Sequence, residues 1–388
     1  WSAGIRLPAP AGMGGAALAA LRSRLATGSG VPTKVLHSLE VAGLAAGGVD
    51  TVRPAPPGTV GGSPAATAAW LTGHPTDRAA AASARQYLRA VAGRYGGPVP
   101  SVVPIAPFER AWVLNLLLDG GFRPTPADEL VTMLAAPLGA DGMSGGAGLP
   151  PDADTTSATL RALVRLGAPA DLDCLRGFET DSHFCTWPGE RTPSTTTNAH
   201  VLDAFGECAS RRDGRPADRL VVDKISGWLC DQQLSDGTWT DKWHASPYYA
   251  TLSCVLALHR FGRPAGPAGR PAVAVRHALR WMVGTQRPDG SWGRWSGTVE
   301  ETAYAVQALL LTRVSGAGAD DPVSRAVARG LAYLATSFGN QPDPPLWHDK
   351  DLYAPAAIIR AAALAALRLG RDRPACTDAL ANHSTAVV

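Results

Sequence analysis

Asp152-Ala153-Asp154-Thr155-Thr156 sets two carboxylates two positions apart, with two hydroxyls directly behind them. The stretch has two readings. Pro150 and Pro151 come before it and apolar residues follow at Leu160, Leu163, Val164 and Leu166, which is the signature of a capped helix start. The other reading is a Brønsted acid. A carboxylic acid protonates something as weakly basic as an alkene only if it stays neutral near pH 7 in a dry site. A second carboxylate close by raises one pKa of the pair, because both ionise together only at a cost. Hydroxyls orient such a pair without adding charge. The stretch alone leaves both readings open.

The chain around it is long enough, at 388 residues, for two domains and a large core. Its net charge is +3, with acids and bases interleaved, which is no nucleic-acid footprint. The one dense basic run, Arg211, Arg212, Arg215 and Arg219, is broken by Asp213, Gly214, Pro216 and Asp218 and reads as a solvated loop. Six cysteines show no CxxC spacing, and several fall in apolar helical runs, so reduced thiols and a cytoplasmic location are expected. No apolar run reaches the length of a membrane span, and no signal peptide is visible. The first residue is Trp1, from which an incomplete N-terminus is expected.

Residues 1–104 are poor in charge and rich in Gly, Pro and Ala, with helical pieces expected from 31, over 64–71 and over 79–91. From about 105 the chain repeats itself. Six helical segments (108–121, 155–167, 198–209, 249–262, 302–313 and 353–370) recur at a period of roughly fifty residues. Other helices run between them, at 217–231, 272–285 and 323–338, and tryptophan keeps the beat at 187, 239, 292 and 347. Units of two helices that cannot bury their own apolar faces must stack. Six hairpins closing on themselves make an all-α fold, an α/α toroid with inner helices around a central cavity. Two turns are nearly identical: Gln233-Leu-Ser-Asp-Gly237-Thr-Trp239 and Gln286-Arg-Pro-Asp-Gly290-Ser-Trp292. They carry no acid or nucleophile suited to catalysis and read as staples: the indole packs, the Gln amide bonds free backbone groups, and Gly permits the turn.

These QxxxGxW turns beside an Asp-x-Asp motif resemble the class II terpene cyclases, the family of squalene–hopene cyclases and copalyl diphosphate synthases. The likeness runs over nearly the whole chain. Val31-Pro-Thr-Lys-Val-Leu-His37-Ser-Leu-Glu40 is similar to the family's IPTTLLHSLE. Gly97-Pro-Val-Pro-Ser101-Val-Val-Pro104 with Phe108-Glu109-Arg-Ala-Trp112 is similar to its GGVPNVFPVDLFEHIW. Asp241-Lys242-Trp243 matches its DKW, and Leu346-Trp347-His-Asp-Lys350-Asp-Leu-Tyr353 resembles the closing motif of bacterial members. The resemblance implies a γ domain over 1–104 and a β domain, the toroid, over 105–388. A larger squalene-type cyclase, a zinc-dependent prenyltransferase subunit and a non-catalytic toroid that only binds are the rival readings; no Cys/His zinc cluster is visible for the second.

The resemblance also implies roles. Asp154 aligns with the family's proton donor, with Asp152, Thr155 and Thr156 holding it. Asn198 or His200 stands where the family keeps a partner for the acid. His37 keeps half of a His/Asn pair that organises a water base, but Ser101 stands at the Asn position. Lys242 matches a diphosphate-binding lysine, with Lys350, Arg22 and Arg24 as weaker candidates. A carbocation in a dry cavity is stabilised by aromatic faces; Trp112, Phe184, Trp243, Tyr249, Trp292, Trp295, Tyr304 and Tyr353 are the candidates. A retained diphosphate calls for Mg²⁺, although no EDxxD-like motif is found, and Asp320-Asp321 begins no DDxxD. The acid motif reads DxDTT, a form that resembles bacterial drimenyl diphosphate synthases. The expected reaction is therefore protonation-initiated bicyclisation of farnesyl diphosphate to drimenyl diphosphate, with cyclisation of geranylgeranyl diphosphate to a copalyl-type diphosphate as the alternative.

Overall fold

The structure is a computed structural model that describes residues 14–371 except 98, 101, 102, 104, 191, 211–214, 263–268, 313–320 and 341. Trp1, Ser101, Arg211, Arg212, Asp320 and Cys376 therefore lie outside the described residues. The chain divides into two compact units, one running to Ile105 and taking in Gly145–Pro150, the other made of Ala106–Ser144 and the chain from Pro151 on.

The first unit holds helices α1 (Gly15–Ala26), α2 (Thr33–Leu36), α3 (Pro64–Leu71) and α4 (Arg78–Arg94), with a 3-10 helix over Leu39–Ala46. Ser63 and Asp77 cap α3 and α4 by accepting the N–H groups of Ala66 and Ala80 at 3.1 and 3.0 Å. Trp70, Leu39, Leu25 and Val60 form its core. The helix expected from 31 onward is two short pieces, because Ser38 leaves helical geometry and Gly43 adopts φ +63°. The sequence reading misses α1, whose start lies among glycines.

The second unit holds α5 (Ala106–Asp119), α6 (Ala127–Ala135), α7 (Ala153–Arg165), a 3-10 helix (Leu172–Phe178), α8 (Thr195–Ala209), α9 (Pro216–Asp231), α10 (Pro247–Phe261), α11 (Arg270–Gly284), α12 (Val299–Leu311), α13 (Pro322–Ser337) and α14 (Ala356–Arg371). A two-residue ladder, β1 (Trp347–His348) against β2 (Leu352–Tyr353), precedes α14. Helices α5, α7, α8, α10, α12 and α14 pack each on the next, and α14 packs back on α5. This is a closed inner ring, and it makes the unit an α/α toroid. Helices α6, α9, α11 and α13 lean on it from outside.

Burial follows position. Helix α9 buries Asp218, Val221, Val222, Ile225, Ser226 and Leu229, one stripe at helical spacing. Helix α7 is buried at every position from Ala153 to Val164, including Asp154, Thr155, Thr156, Ser157, Thr159 and Arg161. A helix this polar and this buried faces an interior that is not a plain apolar core.

The staples work as the turn chemistry predicts. Gln233 Nε2 donates to the Gly237 carbonyl at 2.9 Å and to Ala274 on α11 at 2.8 Å. Gln286 repeats this on Gly290 and on Ala326 of α13, at 2.9 and 2.8 Å. Each Gln thus ties one outer helix to the next. Gly237 and Gly290 adopt φ +96° and +89°, and a Cβ on either would come within 3 Å of a neighbouring carbonyl. The indoles of Trp239 and Trp292 donate to Leu229 and Met282 at 2.8 and 2.6 Å.

Candidate active site

Asp152 is the N-cap of α7. Its Oδ1 accepts the Thr155 N–H at 2.6 Å and its Oδ2 accepts the Thr155 hydroxyl at 3.0 Å. Thr156 Oγ1 donates to the Asp152 carbonyl at 2.5 Å and accepts the Met143 N–H at 2.8 Å. Both threonine hydroxyls therefore finish the helix start, where backbone groups lack partners. The capped-helix reading of this stretch holds for Asp152, Thr155 and Thr156. Burial pushes the Asp152 carboxyl up to about 7, and the charge on Asp154 adds to the rise against the lowering effect of Thr155. Asp154 takes no part in the cap: its Oδ1 lies 2.6 Å from Nδ1 of His200 on α8. Both side chains are largely buried.

The start of α8 is itself held in place. Ser194 caps it by accepting the Thr197 N–H at 3.0 Å. Asp241, the acid of the DKW triplet, accepts from Ser194 Oγ at 2.8 Å, Thr195 Oγ1 at 3.2 Å and Thr196 N–H at 3.1 Å, and from Trp243 N–H at 3.0 Å. Burial raises its pKa, and Asp154 contributes to the rise. The DKW acid thus fixes the helix that presents His200. Asn198 serves a different purpose: its amide exchanges 2.8 and 2.9 Å bonds with the Phe184 backbone and donates to the Ser194 carbonyl at 2.8 Å. Of the two candidates for the partner of Asp154, His200 is in contact and Asn198 is spent on backbone.

The aromatic candidates separate in the same way. Trp112 lies edge-on to His200 with centroids 5.0 Å apart, and its indole N–H donates to the Tyr249 hydroxyl at 2.8 Å. Tyr249 lies 5.6 Å from Tyr304 and 4.7 Å from Trp347. Phe108 packs on Trp112 at 4.1 Å, and His244 lies 5.0 Å from Tyr249. These rings form one cluster beside the Asp154–His200 pair. Tyr353 belongs to the same region, in β2, and burial raises its pKa. The other aromatic candidates do different work. Trp292 is a staple. Phe184 is fully buried against Phe205 at 5.9 Å. Trp243 packs edge-on to Trp187 at 5.4 Å, and Trp295 is 63% exposed with Arg294 over its ring at 4.8 Å.

The expected cationic residues are engaged locally. Lys242 pairs with Glu190, donates to the Thr192 carbonyl at 2.6 Å and lies 5.1 Å from the Trp243 ring. Lys350 stands in the turn between β1 and β2. In the first unit, Arg22 donates to the Ala42 carbonyl at 3.1 Å, Arg24 to Gly30 at 3.1 Å, and His37 Nδ1 to Gly61 at 2.7 Å. Among the described residues no three His, Cys, Asp or Glu gather as a metal cage. Glu190 pairs with Lys242, and Asp241 is committed to the start of α8. The described residues do not fit the expected Mg²⁺.

A cavity of about 60 Å³ in the toroid is lined by Trp112, His200, Tyr249, Tyr304, Asp119, Arg161 and Asp203 among others. Asp119 there accepts from Arg161 at 2.8 Å, Arg165 at 2.5 Å and Arg260 at 2.9 Å. Burial alone would raise its pKa; Arg161, then Arg260 and Arg165, hold it well below the usual carboxylate range. Sequence reasoning missed this network, together with Phe108, His244, Glu300 and Trp347. Trp347 was on the tryptophan beat, and Phe108 opens the quoted FER stretch; the others carry no local signal. A larger, mostly apolar cavity of about 470 Å³ in the first unit, lined by Tyr87, Val91, Tyr95, Ile105 and Leu149 among others, has no acid–base pair on its walls. No described helix is long and apolar enough to cross a membrane, and the five described cysteines are free.

The family model described as the squalene-hopene cyclase C-terminal domain matches residues 191–357. The chain is 44% identical to the ent-copalyl diphosphate synthase of Streptomyces sp. (strain KO-3988), over 90% of its own length and 66% of the relative's. It is 40% identical to the copalyl diphosphate synthase of Streptomyces cyslabdanicus, over 96% and 69%. Its fold matches the solved ent-copalyl diphosphate synthase from Streptomyces platensis with a TM-score of 0.85 and 47% identity, covering 94% of this chain and 70% of that one. The chain thus spans about two thirds of the length of these relatives.

Proposed function

The chain belongs to the class II terpene cyclases, and from that membership we propose that it cyclises geranylgeranyl diphosphate to a copalyl-type diphosphate. In this reading the first unit corresponds to the family's γ domain and the toroid to its β domain. Asp154 is the general acid. With one carboxyl oxygen held by His200, the other is the one that gives a proton to the terminal alkene of the substrate. The tertiary cation formed is attacked by the next alkenes in turn, closing two rings, and a proton is lost at the end, so product and substrate are isomers. Trp112, Tyr249 and Tyr304 face the positive charge as it moves; each desolvated contact is worth about 2 kcal/mol. Lys242, with Lys350, is assigned to the diphosphate, which is never expelled.

The observation that carries the acid is the 2.6 Å contact of Asp154 with His200 beside that ring cluster. Relatives named for copalyl diphosphate support the twenty-carbon substrate. The fifteen-carbon expectation drew on the DxDTT motif together with Ser101 and the lack of a DDxxD; the threonines of that motif are occupied by helix capping, a task independent of substrate length. Incubating the full-length protein with farnesyl and geranylgeranyl diphosphates in parallel, followed by dephosphorylation and mass spectrometry, tests this. A higher kcat/KM for the fifteen-carbon substrate would restore drimenyl diphosphate as the product. No cyclised product from either would leave a toroid that only binds.

A further inference from the structure

Glu300, in the first turn of α12, is fully buried. The helix cap involves its neighbour: Thr298 Oγ1 accepts the Glu301 N–H at 3.0 Å and donates to the Glu301 carboxylate at 2.9 Å. Glu300 points its carboxylate to the ring cluster instead. Its Oε1 accepts the Trp347 indole N–H at 2.7 Å, the Tyr304 hydroxyl at 3.0 Å and His244 Nε2 at 3.3 Å. His244 Nδ1 lies 3.1 Å from both the N–H and the carbonyl of Ser246, which holds the ring with its Nε2 toward Glu300. Three rings from three different segments are thus tied to one oxygen atom. The other oxygen has no hydrogen-bond partner among the described residues, and no described Lys or Arg pairs with Glu300. Replacing such a group with a hydrocarbon of similar size would pack as well and spare a buried charge, so packing alone does not account for it.

We propose that Glu300 is a positioning residue that fixes the orientation of Tyr304, Trp347 and His244 and thereby decides which product the carbocation collapses to. The inference rests on the cyclase reading above. A cation that has already formed chooses among ring closure, shift and proton loss by small differences in barrier, so ring faces held in one orientation select one outcome. Misplacement by about 1 Å is enough to change a rate about 10²-fold. Of the three rings, Tyr304 lines the cavity beside His200, so the anchor at its hydroxyl end reaches the reacting region directly.

The test compares product mixtures from the full-length protein and from Glu300→Gln and Tyr304→Phe. Tyr304→Phe removes one of the three donors and keeps the ring and the carboxylate, so it stays informative if Glu300→Gln fails to fold. The expected result is a ratio of by-products to main product raised at least about tenfold in both, with KM changed less than about twofold. Unchanged ratios in the folded variants, even with slower turnover, would overturn the proposal and make Glu300 a structural group. A wild-type protein that gives no cyclised diphosphate would overturn the cyclase reading, and this proposal with it; that outcome is distinct from unchanged ratios in an active enzyme.

Discussion

Asp154 on α7 and His200 on α8 meet through a 2.6 Å hydrogen bond, so the proposed acid is anchored by the neighbouring inner helix and not by its own. The cap of its own helix is built by the residue two positions earlier. The separation matters for mutagenesis: the acid can be altered without unmaking the helix start.

Asp154→Asn keeps the shape and can still accept from His200, but it has no proton to give. Turnover should fall at least about 10³-fold while the thermal midpoint stays near that of the wild type, because no water replaces a strong acid at an alkene. Near-normal turnover in a folded variant would remove Asp154 as the acid.

His200→Phe should lower kcat about 10²-fold with little change in KM, since the ring it inserts can pack near Trp112 but cannot hold the carboxyl in place. An equal loss in KM would mean that His200 contributes to substrate binding.

Asp152 gives a pH signature. Its pKa is raised from an ordinary 3.8 to about 7, so the folded protein binds this proton more tightly than the unfolded chain. The stability it contributes is full below pH 3.8 and is lost as pH rises through 7, by up to about 4 kcal/mol. Asn is a good N-cap, so Asp152→Asn should keep the helix start and abolish this loss. The variant should melt several degrees above the wild type at pH 8, and the gap should shrink toward pH 4. Asp343, raised to about 6 by burial and then by Glu300, leaves a residual slope in both proteins. A gap that does not change with pH would show that Asp152 does not titrate in this range.

Asp119→Asn tests the ionic network of the toroid. It leaves the buried guanidinium of Arg161 and those of Arg165 and Arg260 short of one negative charge, and should cost about 3 to 5 kcal/mol in denaturant unfolding. Because Asp119 is depressed, that contribution is present above pH 3.8 and fades as pH falls further. A loss under about 1 kcal/mol would mean that Asp203 and Glu207 compensate.

What was legible in the sequence was local or periodic. The repeat predicted the toroid because stacked units need neighbours, and Pro150-Pro151 before Asp152 predicted the capped start of α7. The Gln-x3-Gly-x-Trp turns were legible because each closes within seven residues on chemistry of its own. The contacts that build the site are of another kind. Trp112 reaches Tyr249 across 137 positions, Asp119 reaches Arg161 across 42, and Glu300 meets Trp347 across 47. Such pairs exist only once the ring is closed, and no property of Glu300 or Asp119 within its own segment distinguishes it from a solvated acid. The aromatic candidates divided for the same reason: Trp292 and Tyr304 look alike in composition, and the direction of each side chain around the ring decides which one is a staple.

The ring seam carries a consequence for biosynthesis. Helix α14 closes against α5, where a methyl group added at Gly120 would lie 2.7 Å from the Ala365 Cα, so the joint admits almost no spare volume. The two sides of this joint are the first and last inner helices to leave the ribosome. Loop-closure entropy for so long a span grows only slowly with length, but forming such distant contacts is slow. Until α14 arrives, the ring of inner helices stays open between α12 and α5. The closed toroid exists only once translation has delivered α14.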